Sequence, residues 1–579
     1  MNSLISHVFL RPYYLFHYHH FSQFVLRFKA RVLLPLKYIF FSTFSAKFFT
    51  RSCPTRDTLL DKKLFPETLF SKLRQSAKYP SLKFDTGSID VHALHNQFEY
   101  HSHAFLLYSE PPKSHWHDVC KWLRRYPFGL KKGDRCAWHP YVCSKRIQAW
   151  LVLWILNPPE TPEKEIVIDS LFQTLCWVEL NLEKDIGGNH LWENSIALIW
   201  GGLFFEGLIG ERWLKKGLLE LKQCLRTQVL SSGEHFEKAP SYQKELVHGL
   251  QFVLPYLEKL DPEESKFISR YCDKMQSYLE EIAHPSGTLP LFNDAWESVM
   301  NAKNDSSQQW VGDLFVWREP ELFFVFDAGN LGPDHLPAHS HCDLLTFEFS
   351  AHKSRVFVNS GTFCYQGRER NLYRGSKSHN VLLVNGENLA DIWSSFRMGY
   401  RGHIVERFSK TDSVGTWVVA AHDGYKHLGY NKIFRAWFFP KNSLFLFSLH
   451  FSQGVQKSHL VQEFLHLHPT VLPKIVDNQV EIISNGSTFY LQPIYSSPSL
   501  EIQDSVYAPN FEAQVPNKTI VLTSRSQPMT NHINVLTAWA FYFQKENVRP
   551  SIEIDEQGLK LKWQVLDQSF ESLLTLSTP

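Results

Sequence analysis

The segment Leu331–Arg397 gathers residue types that exchange protons and hold anions. It carries His335, His339, His341 and Asp343, then Gly361, Tyr365, Arg370, Tyr373, Arg374 and His379. Imidazole and phenol are common proton carriers in enzyme sites, and guanidinium is a common anion holder. His339 and His341 are two apart, so on a strand both rings leave the same face. Leu345, Phe347 and Phe349 alternate with Thr346, Glu348 and Ser350, the pattern of a strand with one buried face. Such groups leading into a packed strand can form a rigidly supported active site. The plainer alternative is that they fill polar turns between strands.

These groups need elements to position them, and the preceding chain is helical. From Trp138, Pro140 opens a helix whose Ile147, Trp150, Leu151 and Trp154 recur at three- and four-residue steps, with Trp138 and His139 at its mouth. Residues 155–163 form a loop, and a second helix runs through Val167, Leu171 and Leu175. Ile186-Gly-Gly-Asn-His190 is a turn before the apolar helix Leu191–Phe205, on which His190, Glu193, Asn194 and Ala197 share a face. Asn189 and His190 therefore stand at a helix beginning, facing a ligand or, for Asn189, capping the helix. After helical patterning through Trp213–Leu225, the polar turn Ser231–Pro240 delivers Ser241, Tyr242, Gln243 and Glu245 to another helix with Leu246, Gly249, Leu250 and Val253 inside. Two more helical stretches, 264–283 and around Trp296, extend a series of helix pairs to about residue 300.

After Gln308 the texture changes to short alternating or apolar runs. Leu314–Arg318, Leu322–Asp327, Arg355–Asn359, Val381–Val384, Thr416–Ala420, Ile433–Phe439 and Leu444–Leu449 read as strands, as do later runs to Val535–Phe543. Asn385-Gly386 is a hairpin-turn pair. No helical alternation supports βαβ units, so the reading is a large antiparallel sandwich.

At 579 residues, two domains are expected, and 44% hydrophobic with 20% charged residues is a globular composition. The 60 basic residues nearly balance 58 acidic ones, which gives no case for nucleic acid as a partner. With 17 Trp, 22 Tyr, 45 Phe and 28 His, the chain can line a cleft that stacks on sugar faces, although most aromatics must be core. The nine cysteines are scattered without CxxC spacing, suggesting neither a disulfide framework nor a cysteine zinc knuckle, while one internal disulfide stays open. Residues 1–50 are aromatic and basic, with cations breaking every apolar run short of a membrane span. They lack the order of a signal peptide. Packed helices are the favoured reading there, and an amphipathic helix lying on a membrane is the alternative.

Gly188-Asn-His-Leu-Trp-Glu-Asn, His235-Phe-Glu-Lys-Ala-Pro-Ser-Tyr242 and Pro337-Ala-His-Ser-His-Cys-Asp-Leu-Leu-Thr-Phe carry a resemblance. Ser378-His-Asn380, Ile392-Trp-Ser-Ser-Phe-Arg397 and His422-Asp-Gly-Tyr-Lys-His-Leu-Gly429 add to it, in order along Trp138–His468. The chain resembles the heparinase II/III family of polysaccharide lyases and the related alginate lyases. The resemblance implies an incomplete (α/α) toroid followed by an antiparallel β-sandwich, so the expected multidomain α+β chain has the aromatic-basic N-terminal segment (1–60), the toroid (61–305) and the sandwich (306–579). It implies cleavage of a uronic-acid-containing glycan by β-elimination, in which a proton leaves C5 and the C4–O bond breaks. Such a site must neutralise the carboxylate, supply a base and protonate the departing oxygen.

By motif, Asn189 with His190 would bind the uronate carboxylate, and Tyr242 would protonate the leaving oxygen or act as base with a lowered pKa. His339 would neutralise the carboxylate or serve as the base. Arg374 is a candidate to supply the field that lowers the tyrosine and to bind anionic sugar. Trp138, His139, Glu193, His235, Tyr365 and Tyr373 are expected in the substrate cleft. The resemblance also implies one structural zinc, at His341, Asn359 and His379. Asn359 stands where the family has an aspartate, which weakens the site; Asp343 is the nearest candidate to compensate. Ala338 replaces a usual glycine. An acidic polysaccharide is the expected partner, to a monomer or homodimer. Placement is periplasmic or cell-envelope by resemblance, with the cytoplasm left open by the N-terminus. The competing functions are a non-catalytic glycan-binding or assembly protein and a glycoside hydrolase using Glu193 with Glu234 or Glu237.

Overall fold

The computed structural model describes residues 94–107, 115–128 and 136–575, apart from 442–444, 456, 496–497, 544–549, 556–557 and 566–567, with a few isolated residues before 94. The expected N-terminal segment lies almost entirely outside the described residues. Among the described residues from 94 on, eight α-helices come first: α1 (Leu94–Ser102), α2 (His115–Arg125), α3 (Pro140–Leu156), α4 (Glu163–Leu180), α5 (Gly188–Phe204), α6 (Gly207–Gln228), α7 (Pro240–Leu260) and α8 (Pro262–Ile282). Helices α3, α7 and α8 each open on proline, whose fixed φ suits the first helical turn. In α8, Asp261 also accepts a hydrogen bond from the Glu264 amide. Helix α5 is buried almost all round, with Trp192 and Trp200 fully enclosed, so the other helices pack about it. Among the described residues no helix is long and apolar enough to cross a membrane.

The expected helix around Trp296 is absent; residues 283–306 form an extended connection. Pro285 and Pro290 remove backbone donors, while Gly287 (φ +83°) and Asn293 (φ +55°) take left-handed conformations that interrupt helix.

The first strands, β1 (Ser307–Val311), β2 (Leu314–Glu319), β3 (Leu322–Asp327), β4 (Phe347–Ala351) and β5 (Ser354–Phe357), form an antiparallel meander. It packs through Phe324, Phe347, Trp437 and Phe541 on an eight-stranded antiparallel sheet. That sheet runs Leu472–Val476, Gln479–Ser484, Ser487–Pro493, Met529–Tyr542, Phe445–Val455, Ile433–Pro440, Gly415–His422 and Ile404–Thr411. Trp563, from a three-stranded sheet spanning residues 551–574, packs on Phe438 and Phe445 to cover its other face.

Two expectations about this half are corrected. The histidine segment is not a strand: residues 329–346 are turns and bends, and the strand starts at Phe347. Asn385 and Gly386 do form a tight turn, with φ +51° and +70°, but Leu382–Val384 pairs with Leu460–His466 rather than closing a hairpin. The Asn385 amide donates to Leu460 O at 2.8 Å, which draws the turn into that other sheet.

Strand β4 is buried on both faces because its polar side is covered by the connection leaving α8. Glu348 there accepts from Arg355, His284 Nε2 (2.9 Å), the Leu291 amide (3.0 Å) and the Asn359 amide (3.0 Å), joining the helical half to the sheet. Burial alone would raise its carboxyl, but Arg355 and the hydrogen bonds bring it down to about 2 from 4.5. A depressed carboxyl stabilises the fold above its unfolded value, and that contribution fades as the pH falls from 4.5 toward 2. Urea melts should show about 3 kcal/mol lost across this window, and Glu348→Gln should lose a similar amount already at pH 7.

Candidate active site

The centre of the site is a carboxylate on the α8–β1 connection. Asp294 is fully buried and accepts from His339 Nδ1 (2.9 Å), His341 Nε2 (2.8 Å) and both terminal nitrogens of Arg370, one at 2.8 Å. Burial opposes its charge, yet Arg370 and the two imidazoles hold it well below the usual carboxylate range. The strand geometry expected to align His339 and His341 is replaced by this shared anion. Asn293 fixes the loop by accepting from the His341 amide and donating to Lys238 O, both at 2.9 Å. With His339 Nδ1–H held by Asp294, its Nε2 makes no hydrogen bond to a described residue and remains available.

Tyr242, on the first turn of α7, meets this ring from the helical half. The Tyr242 and His339 ring centroids are 4.5 Å apart, and the Tyr242 hydroxyl hydrogen-bonds the Tyr365 hydroxyl. Trp296 closes the other side of Tyr242 edge-on at 5.2 Å. Burial, then neighbouring Tyr365 and Tyr141, push the Tyr242 phenol well above its ordinary value. The lowered pKa expected for a basic tyrosine is therefore reversed here. Arg370, rather than Arg374, is the guanidinium that faces a site tyrosine, lying 4.8 Å from the Tyr365 ring centre.

The start of α5 supplies the third wall. Gly187 is the N-cap and no side chain caps the helix, while the Asn189 backbone amide donates to the Glu237 carboxylate. Gly188, at φ +53°, brings the backbone against Glu237, whose carboxylate a Cβ there would overlap. His190 Nδ1 bonds Glu183 Oε1 at 2.8 Å and stacks on Tyr141, 4.4 Å between centroids. Although burial opposes charge, Glu183 keeps His190 above its ordinary value. His139 Nδ1 lies 3.7 Å from the same Glu183 oxygen. Among the described residues, His139, Glu183 and His190 hold their ligand atoms within 4.8 Å of one another and could bind a metal ion.

Several predicted cleft residues are buried and packed against other parts of the protein. Trp138 is enclosed in an aromatic box with Phe128 and Arg146. Glu193 is ion-paired to Lys145 (3.1 Å) and bonded to Gln148 (2.6 Å). His235 is buried against Trp192 and bonded to Gln228 at 3.0 Å; burial pushes its ring down to about 3. Tyr373 is buried on a helix, α9 (Gly367–Arg374), and accepts from Gln514. Arg374, fully buried, gives its hydrogen bonds to backbone carbonyls of Pro337, Ser340, Ser394 and Ser395, so it holds loops rather than sugar. His341, Asn359 and His379 do come together: the two rings are 5.2 Å apart and His379 Nδ1 is 2.9 Å from Asn359 Oδ1. Asp294, Tyr141 and Glu183 join the site without having been singled out, whereas Arg370 was named only as part of the histidine segment and Glu237 only for the hydrolase alternative. Of these, Tyr141 was within reach of the helix-beginning rule applied to Asn189.

A family model described as heparinase II/III N-terminus matches residues 112–319, and one described as heparinase II/III-like, C-terminal, matches residues 303–563. The chain belongs to the heparinase II/III-like family. This heparinase II/III-like chain shares its fold with a heparinase III structure at TM-score 0.66 and 15% identity, covering 92% of each chain. A second heparinase III, the BT4657 gene product, aligns at TM-score 0.63 and 17% identity over 94% of this chain and 97% of that one. Heparan sulfate lyase HepC from Pedobacter heparinus aligns at TM-score 0.59 and 15% identity over 90% of each. No curated protein matches. The toroid-then-sandwich architecture of the family is the helix-then-sheet order described above.

Proposed function

We propose that this heparinase II/III-like chain is a polysaccharide lyase that opens a uronic-acid-containing acidic glycan by β-elimination, with His339 as base and Tyr242 as acid. One observation carries the assignment: a phenol held protonated and an imidazole with a free Nε2 lie ring to ring at 4.5 Å. Asn189 and His190 receive the uronate carboxylate, lowering the barrier to carbanion character at C5. His339 Nε2 takes the C5 proton while Asp294 holds its Nδ1–H. The C4–C5 double bond forms, the C4–O bond breaks, and the departing oxygen takes the Tyr242 proton. A glycoside hydrolase is disfavoured because Glu193 is already neutralised by Lys145. The test is absorbance of the unsaturated product from uronate polysaccharides, beside Asn189→Ala, expected to lower kcat/KM about a hundredfold. A periplasmic or cell-envelope location accords with such a substrate, and cell fractionation tests it.

A structural zinc fits His341, Asn359 and His379 on the chemistry of the donors. His341 donates Nε2–H to Asp294 and its buried Nδ1 has no partner; His379 donates Nε2–H to Tyr373 O, leaving Nδ1 toward Asn359 Oδ1. Ligating histidines are commonly anchored through the opposite ring nitrogen in this way. When bound, the ion would fix His341, and through Asp294 the orientation of His339. Asn359 offers a neutral oxygen already taken up by Thr346 and donates to Glu348 at 3.2 Å. Asn359→Asp should therefore destabilise the metal-free protein by setting two carboxylates together. It should also tighten zinc binding about tenfold or more, read by calorimetry and by the rise in melting temperature with zinc.

A further inference from the structure

Beyond the reacting groups lies a hairpin, Ala390–Ser394 paired with Arg397–Arg401, whose tip is Ser395 and Phe396. Surface hairpin tips are usually loosely held, yet this one is anchored from below by two fully buried arginines. Arg370 Nε donates to Ser395 O at 3.1 Å, and Arg374 Nη1 donates to Ser394 O and Ser395 O at 2.9 Å each. The same guanidinium groups hold Ala338 O, Pro337 O and Ser340 O on the His339 loop and, through Arg370, Asp294. The tip is thus fixed relative to the base and the acid.

What the tip presents is suited to sugar. Phe396 is 39% exposed, with its ring 5.6 Å from Tyr365 and 5.8 Å from the Arg370 guanidinium carbon. Arg397 is exposed and spreads over the Trp393 ring at 5.2 Å. An aromatic face covers the apolar side of a pyranose, and a guanidinium held over an indole can still present its N–H groups to an anion. We propose that Phe396 and Arg397 form a sugar subsite flanking the cleaved bond, Phe396 stacking on the neighbouring ring and Arg397 holding its carboxylate or sulfate. The subsite rests on the lyase reading for its place beside the scissile bond, but its binding role can be measured apart from turnover.

The test compares the full chain with Phe396→Ala and Arg397→Gln on heparan sulfate, its desulfated counterpart, hyaluronan and alginate. Both KM and calorimetric Kd are read. Phe396→Ala should raise KM and Kd about tenfold while kcat falls less than about threefold. Arg397→Gln should raise them about fivefold at low salt, with the gap closing in 0.5 M NaCl. An Arg397 effect confined to the sulfated chain identifies sulfate as its ligand; one that persists on the desulfated chain identifies carboxylate. If wild type binds a chain without forming unsaturated product, and Phe396→Ala weakens that binding, the subsite stands and the elimination reading falls. Wild-type KM and Kd in both variants on every chain would overturn the subsite, as would a wild type that binds none of them.

Discussion

Tyr242→Phe should lower kcat on a uronate polysaccharide about a thousandfold while exchange of the C5 proton with deuterated solvent continues. The two readouts separate the two proton transfers. Phenylalanine keeps the edge-on packing against Trp296 and the contact with His339, so the fold and the base should survive. Only the hydroxyl that protonates the leaving oxygen is gone. The carbanion-like state would then return its proton more often than it expels the sugar. His339→Ala should abolish elimination and exchange together. If Tyr242→Phe abolished exchange as well, Tyr242 would be the base, and a neighbour would have to overcome the burial that holds its phenol protonated.

Asp294→Asn should cost about 3–5 kcal/mol of folding stability and nearly all activity, a loss far larger than for a surface acid. The amide is isosteric, but it leaves the fully buried Arg370 guanidinium without its counter-ion and turns one of the two oxygens that hold His339 and His341 into a donor. Denaturant melts and initial rates measure the two effects. Pairing Asp294→Asn with Arg370→Met should restore much of the stability by removing the stranded charge, and none of the activity. Recovery of both would mean that Asp294 serves only to neutralise Arg370.

The architecture was legible because it rests on local periodicity: three- and four-residue apolar steps before residue 283, alternation after 307. Tyr242, His339, Asn189 and His190 were singled out through the motifs that carry the family resemblance; the first turns of α5 and α7 hold three of them and a loop holds His339. Asp294 was not legible. It is one acid in the apolar run Leu-Phe-Asn-Asp-Ala-Trp, and its meaning comes from partners 45, 47 and 76 residues away. Arg370 and Arg374 left a fainter trace. They are four apart on one face of α9, but the eight residues Gly367–Arg374 are too few to declare a helix by pattern. Without that helix the two guanidinium groups could not be seen to point together, and the field was assigned to the wrong arginine. Trp138 failed for the opposite reason: a helix mouth admits either solvent or core, and the Arg146 box decided for core.

The pair of buried arginines has a bearing on turnover. Because they join the hairpin and the histidine loop through backbone carbonyls, those walls are assembled before any glycan arrives. No segment there must order itself at encounter, so the entropic penalty of complex formation falls on the polymer, whose glycosidic torsions must freeze to match a fixed groove. Stiff or conformationally restricted chains would then gain an advantage over floppy ones of equal charge, and selectivity would track the shape of the chain as well as its acidity.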